Sequence, residues 1–166
     1  MQNKYIIYSA DFKPKDGGVA DYAYHLAMKL HKENRLIAVL TFQNAEPQHF
    51  PFSSIQSNIT HQRDLGKRFG DNIPVLRKLN TLFHNLFLYL QALQDIVNLT
   101  FKYGKHNYII VSYYGYYQGA LPKILYYLGI PYEIVLHGLD ILVNEQQIPS
   151  SFTKISQSAK KLIFNS

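Results

Sequence analysis

The chain has 166 residues, the size of one ordinary domain that can bury a core without help from disulfides or metal. It has no cysteine, which excludes a disulfide scaffold, a thiol nucleophile and any zinc or iron–sulfur site built on cysteine. Apolar residues make up 47%, so the chain is globular, and the net charge of +6 favours anionic neighbours such as phosphate ligands, acidic lipid or nucleic acid, unless it serves solubility alone.

The chain opens with a predicted strand–helix–strand unit. Residues 4–9 are apolar on both faces, as a strand buried in a parallel sheet requires. A polar loop ending in Gly17 and Gly18 follows, and apolar side chains then recur at helical spacing to about residue 34. Residues 35–41 form a second buried strand, and a short third strand is expected near residues 54–60.

A long helix is predicted from about Pro74, which suits a first helical turn because its missing N–H has no helical partner there in any case. Apolar residues step by three and four as far as residue 97, and others widen the stripe so that more than one face is apolar. Two interpretations stay open. The helix packs only on the sheet, or it also offers an apolar and basic surface to a membrane or a partner.

The second half repeats the alternation of strands and helices. Strands are predicted at residues 108–112, 132–137 and 161–165, with a helix ending near Gly129 and a short helix before the last strand. This order predicts an α/β fold, a Rossmann-like, doubly wound and mostly parallel sheet with helices on both faces. Ligands of such sheets bind beyond the carboxyl ends of the strands, so the candidate functional residues are those that follow each strand.

The glycine pair Gly17–Gly18 lies where a strand-to-helix turn would aim backbone N–H groups at an anion. It is not the dinucleotide fingerprint, which needs three spaced glycines and an acidic residue after the second strand. The sequence also has no P-loop, no GxSxG elbow and no HExxH motif. These absences disfavour a nicotinamide dehydrogenase, a P-loop ATPase, an α/β-hydrolase and a zinc protease.

His137 is the second candidate, because it ends a buried strand and is followed by a glycine. A neutral imidazole there can hydrogen-bond a ligand hydroxyl, or it can satisfy a local backbone carbonyl. Asp140, three residues later, lies at the same edge or caps the next segment.

Three stretches of the sequence resemble the family-4 retaining glycosyltransferases. The first is Gly17-Gly18-Val19 with Tyr22 three positions on; the second joins LGIPY at residues 128–132 to VLHGLD at residues 135–140. The third is SAKKLIFNS at residues 158–166. The stretches come in the family's order and at suitable distances, and residues 43–105 contribute no motif.

This resemblance implies a GT-B enzyme, in which two Rossmann-like domains enclose the active site. Residues 1–166 are similar to the N-terminal, acceptor-side domain, as a single domain. The family's paired-glutamate motif belongs to the C-terminal domain and is not in this sequence. The resemblance therefore implies that a C-terminal donor-binding domain, in the same polypeptide or a separate one, completes the enzyme.

By the same resemblance, the amides of Gly17 and Gly18 approach the donor diphosphate. His137 contacts the transferred sugar and steadies charge at its anomeric carbon. The acceptor side is lined by Asp21, Tyr22 and Asp140. The reaction is sugar transfer with retained configuration from a nucleotide-sugar donor to a glycan or lipid-linked acceptor. The resemblance implies no cofactor and no metal, because protein dipoles and cations can take the diphosphate charge.

Tyr113 opens a tyrosine run at residues 113–117, where the family commonly has a histidine-bearing loop. The run is either a platform on which a sugar stacks or a set of core aromatic side chains.

A cytoplasmic location is expected, because the apolar run at residues 5–8 is too short for a signal peptide and the uncharged stretch 79–94 is too short and polar for a span. The basic and apolar region 63–105 adds peripheral contact with the inner face of the membrane to the expectations. The alternative hypothesis is a non-catalytic Rossmann-like module that binds a protein or nucleic acid. No recognised nucleic-acid motif supports it, so no nucleic-acid partner is expected.

Overall fold

The computed structural model describes residues 2–9, 11–41, 50–57, 74–113, 120–137 and 150–165. Within these ranges the chain forms six strands and four helices. In chain order they are β1 (Tyr5–Ser9), α1 (Gly18–Lys32), β2 (Leu36–Thr41), β3 (Ser54–Gln56), α2 (Pro74–Tyr103), β4 (Ile109–Tyr113), α3 (Ala120–Leu128), β5 (Tyr132–His137), α4 (Ser150–Ser158) and β6 (Lys161–Asn165). Each predicted strand is confirmed to within a few residues, except that residues 58–60 of the predicted third strand lie outside the described ranges.

The six strands form one parallel sheet in the order β3-β2-β1-β4-β5-β6. The chain first builds outwards from β1 to β3, then crosses to β4 and builds in the opposite direction. The order therefore reverses between β1 and β4, as in a doubly wound sheet. The predicted α/β, Rossmann-like fold is confirmed.

The two faces of the sheet carry separate apolar clusters, because successive side chains of a strand point to opposite faces. Tyr5 and Ile7 of β1 belong to the cluster beneath α1, whereas Ile6 and Tyr8 belong to the cluster beneath α2, α3 and α4. Helices therefore cover both faces, as predicted.

α1 lies close to β1 and β2 because the residues that face the sheet are small. Ala20, Ala23 and Ala27 are all buried, and Leu30 closes the last turn. The outward side of the helix carries polar residues such as His25 and Lys29. Most of the apolar surface of α1 is thus used in packing against the cluster on this face of the sheet.

α2 has two apolar faces. Leu88, Ala92, Ile96 and Leu99 are buried against the sheet and α3. The opposite side carries a row of exposed apolar residues, which we name the α2 stripe. Its members are Val75, Leu79, Leu82, Phe83, Leu86, Phe87, Leu90, Leu93, Val97 and Phe101. The helix therefore packs on the sheet and also exposes a second apolar surface, and the use of that surface by a membrane or a partner stays a prediction.

Neither α2 nor any other helix in the described part of the chain is long and apolar enough to cross a bilayer. The polar side chains Asn80, Gln91, Gln94 and Asn98 interrupt the apolar character of α2. The helix has one apolar face buried against the sheet and a second apolar face that is exposed.

Candidate functional site

The carboxyl ends of the strands lie at one edge of the sheet because all pairings are parallel. Tyr8 of β1, Ser112 of β4 and Ile134 of β5 stand side by side in the register. His137, the last residue of β5, is three residues beyond Ile134, or about 10 Å further along the strand. Its backbone therefore lies level with the start of the loop that follows β1.

The first turn of α1 lies at the same edge. α1 joins the carboxyl end of β1 to the amino end of β2, so it must begin at the carboxyl edge and end at the amino edge. The hydrogen bond from Lys4 Nζ to the carbonyl oxygen of Asn34, 2.6 Å long, ties the end of α1 to the amino edge. The structure thus brings the predicted residues Gly17, Gly18 and His137 to one edge, with β4 between them.

Close packing does not account for the glycines at positions 17 and 18, since a Cβ atom at either position would meet no neighbour within 4 Å. Gly17 has a φ of 137°, which side chains rarely tolerate, so the turn itself needs glycine. Gly18 has no such φ. A glycine in a helix costs about 1 kcal/mol relative to alanine, so a glycine at position 18 is not favoured by helix stability. Because the space in front of Gly18 is open, a ligand could approach the backbone there.

The N–H groups of Gly18, Val19 and Ala20 form the open end of α1. The first hydrogen bond at the end of the helix runs from Asp21 N to Gly17 O, 2.9 Å long, and Gly17 provides no side-chain cap. N–H groups in the first turn of a helix have no partner within the helix, and together with the helix dipole they favour a negative group at this position.

The loop between β1 and α1 is anchored by Phe12, which is fully buried. Its ring makes edge contacts with Tyr24, Phe50 and Phe52, with ring centres 5.5–6.2 Å apart. This anchor is not among the residues predicted from the sequence. The sequence gives one indication of it, because Phe12 is the one large apolar residue in the polar stretch 11–18.

Both lysines of this loop are already held by carboxylates. Lys15 forms an ion pair with Asp11, and Lys13 Nζ lies 2.5 Å from Asp21 Oδ1 and 3.8 Å from Asp16 Oδ1. The hydrogen bond to Asp21 raises the pKa of Lys13. Since the lysines are paired, the backbone N–H groups of α1 are the donors best placed to receive an anion.

The predicted acceptor-side residues are only partly described. Asp21 is half exposed and faces Lys13, and Tyr22 is half buried against the cluster beneath α1. Tyr113 ends β4 at the carboxyl edge, and its side chain lies outside the described residues, as does that of His137. Asp140 and tyrosines 114, 116 and 117 also lie outside them. The roles given to these residues stay predictions.

A buried polar cluster lies between the sheet and α2. It includes Tyr8, the residue before the last residue of β1. Tyr8 Oη donates to Asp95 Oδ2 at 3.0 Å, Ser57 Oγ donates to the same oxygen, and the two hydroxyls are 3.1 Å apart. Burial and the charge of Asp95 raise the pKa of Tyr8 well above its usual range. This cluster was not predicted from the sequence, although Asp95 falls on the same helical face as Leu88 and Ala92.

A depression of about 650 Å³ lies at the opposite, amino edge of the sheet. Its lining includes Lys4, Glu33, His106 and Lys160. Parallel sheets bind ligands at the carboxyl edge, so this depression is not the expected site. Across the described ranges, no three histidine or acidic side chains are grouped closely enough to hold a metal ion.

Comparison with known proteins gives no match of any kind: no protein-family model, no curated protein and no solved structure matches this chain. The Rossmann-like fold is established by the strand order and the parallel register alone.

Proposed function

We propose that this chain is the N-terminal, acceptor-side domain of a retaining glycosyltransferase, an enzyme of the GT-B type. The observation that carries the proposal is the common edge shared by the Gly17–Gly18 turn and His137 in a sheet whose strand order reverses between them. The motifs around these residues, together with the stretch 158–166, resemble that family.

The glycine turn is proposed to receive the diphosphate of a nucleotide sugar. The N–H groups of Gly18, Val19 and Ala20 have no side-chain cap from Gly17, and the space in front of the two glycines is open. A diphosphate placed there would gain hydrogen bonds and the favourable end of the helix dipole. A large side chain at Gly18 would fill that space.

The proposed reaction exchanges one bond at the anomeric carbon of the sugar. The bond from this carbon to the diphosphate oxygen breaks, and a bond to the acceptor oxygen forms on the same face. The acceptor proton passes to the leaving phosphate oxygen, so charge and atoms balance. His137 would hydrogen-bond the sugar and steady positive charge at the anomeric carbon, with Asp21, Tyr22, Tyr113 and Asp140 proposed near the acceptor.

The direct test is the activity of the protein that joins this domain to its donor-binding domain. Gly18→Trp and His137→Ala should each lower kcat/KM by about 100-fold or more, the size seen when a charge-stabilising group is removed. Gly18→Ala should cost much less, because a Cβ there meets nothing within 4 Å. His106→Ala is the matched histidine control, because His106 lines the depression at the amino edge. Full activity in both Gly18→Trp and His137→Ala would overturn the proposal.

A second test uses the 166-residue chain alone. Titration with nucleoside diphosphates, followed by amide NMR shifts, should give weak binding, on the order of millimolar, with shifts at residues 17–20. Shifts confined to the amino edge would contradict the proposed site. Steeply salt-dependent binding to an oligonucleotide instead would favour the alternative, a non-catalytic nucleic-acid module.

A further inference from the structure

The α2 stripe is a large apolar surface with no partner among the described residues. It runs from Val75 to Phe101, a distance of about 39 Å along the helix axis. Ten apolar side chains contribute to it, and Phe101 is 88% exposed. Contiguous exposed apolar surface of this extent marks a site of interaction with protein or membrane.

α2 and the turn that follows it are basic. Residues 74–105 contain four lysines and arginines and a single acidic residue, Asp95. Asp95 is only 3% exposed and is bound by Tyr8 and Ser57, so its charge does not reach the surface. Lys78 near one end of α2 and Lys102 near the other are exposed. The occupant that complements this surface is apolar and anionic.

An apolar groove continues the stripe beyond the end of α2. It has a volume of about 240 Å³ and is lined by Val97, Phe101, Leu128 and Ile130, with Lys105 beside them. Tyr127, next to Leu128 on α3, is 81% exposed. Apolar surface and a lysine thus meet at this end as well.

We propose that α2 rests in the plane of an anionic lipid bilayer, with the α2 stripe among the outer acyl chains and Lys78, Lys102 and Lys105 at the level of the phosphates. Helices with an apolar face and flanking lysines bind membranes in this way, and the helix lies on the bilayer rather than crossing it. The proposal stands on α2 and does not depend on the glycosyltransferase proposal.

A second copy of the chain fits the stripe less well. A second copy of the chain would bring its own Lys78 and Lys102 to the same interface, so the number of positive charges there would double. Asp95 is buried, so α2 offers no exposed carboxylate to offset this repulsion. Like charges placed opposite one another weaken an interface. Anionic lipid supplies the missing negative charge.

The test is co-sedimentation of the chain with vesicles of neutral phosphatidylcholine and with vesicles that contain about 30% phosphatidylglycerol, the anionic component. The wild-type chain should sediment with the anionic vesicles at least about tenfold more strongly, and added salt should weaken binding. The double variant Phe83→Gln/Leu86→Gln should lower the anionic partition coefficient about tenfold or more.

Two further variants separate the contributions of the apolar stripe and the lysines. Lys102→Glu/Lys105→Glu should remove the preference for anionic vesicles. Gln157→Ala/Ser158→Ala, at exposed positions on α4, is the control and should bind as the wild-type chain does. Circular dichroism establishes that each variant is folded, and the substituted residues are exposed, so folding should persist.

Three outcomes would overturn the proposal. The first is equal sedimentation with neutral and anionic vesicles, and the second is no sedimentation with either. The third is a dimer in lipid-free solution that Phe83→Gln/Leu86→Gln dissociates, which would assign the stripe to a second copy.

Discussion

The two faces of the sheet are covered in different ways. Beneath α1 the contact is made by three alanines, which let the helix lie close to β1 and β2. Beneath α2 the contact is made by larger side chains such as Leu88 and Ile96, supported by hydrogen-bonded tyrosines. α1 exposes a polar side to solvent, whereas α2 exposes a second apolar side.

This difference shows that the apolar content of a helix is not a measure of its contribution to the core. α1 uses nearly all of its apolar residues in packing. About half of those in α2 lie in the α2 stripe, where they contribute little to the folded state of the isolated chain. Such residues need an explanation outside the core, and this is why the stripe supports a proposal of interaction.

The sharpest way to test this division is to truncate neighbouring residues on the two faces of α2. Ile96 is fully buried and Val97 is 40% exposed. Ile96→Ala should lower the free energy of unfolding by about 2–5 kcal/mol, because it removes buried methyl groups and leaves a cavity. Val97→Ala should change it by less than about 1 kcal/mol, since most surface substitutions have small effects.

Urea denaturation followed by circular dichroism measures both variants. An equal loss of stability in the two would mean that the stripe is packed in solution. The division of α2 into a core face and an exposed face would then be wrong.

The close approach of α1 can be tested by adding volume. Ala27→Leu should lower the free energy of unfolding by about 1–3 kcal/mol, because the buried position has no room for three more carbon atoms. Lys29→Leu, on the exposed side of the same helix, is the control and should have a small effect. A neutral Ala27→Leu would show that α1 can move away from the sheet without cost.

Much of the fold could be predicted from the sequence because its signals are local. Buried strands such as residues 35–41 are continuous apolar runs, Gly17 and Gly129 mark the two kinds of helix terminus, and Pro74 is the first residue of α2. The alternation of these elements specifies a parallel sheet, and the strand order confirms it.

The contacts that hold the candidate site could not be predicted because they join distant parts of the chain. Phe12 meets Phe50 and Phe52, and Tyr8 meets Asp95, across separations that no local pattern records. The edge shared by Gly17 and His137 could be predicted, because it follows from parallel strands alone. Whether the two residues share a ligand depends on side chains that local patterns do not position.

The smallest expected effect concerns Tyr132, which joins β5 to α4 on the α2 side of the sheet. Its hydroxyl donates to the carbonyl oxygen of Ile155 at 2.6 Å. Tyr132→Phe should therefore lower the free energy of unfolding by about 1 kcal/mol at neutral pH. Tyr127→Phe is the control, because the Tyr127 side chain is largely in solvent.

The Tyr132→Phe effect should depend on pH in a specific direction. Burial, and then the nearby Tyr126, raise the pKa of Tyr132 to about 12. An unfolded tyrosine ionises near about pH 10, so the folded state keeps a proton that the unfolded state loses. The stabilisation by Tyr132 is complete below about pH 10 and is lost as the pH rises towards about 12. Urea denaturation at about pH 8 and about pH 11 should therefore show a smaller difference between wild type and Tyr132→Phe at the higher pH. A difference that stays constant would mean that the Tyr132 hydroxyl is open to solvent and that this face of the sheet is less tightly covered than the face beneath α1.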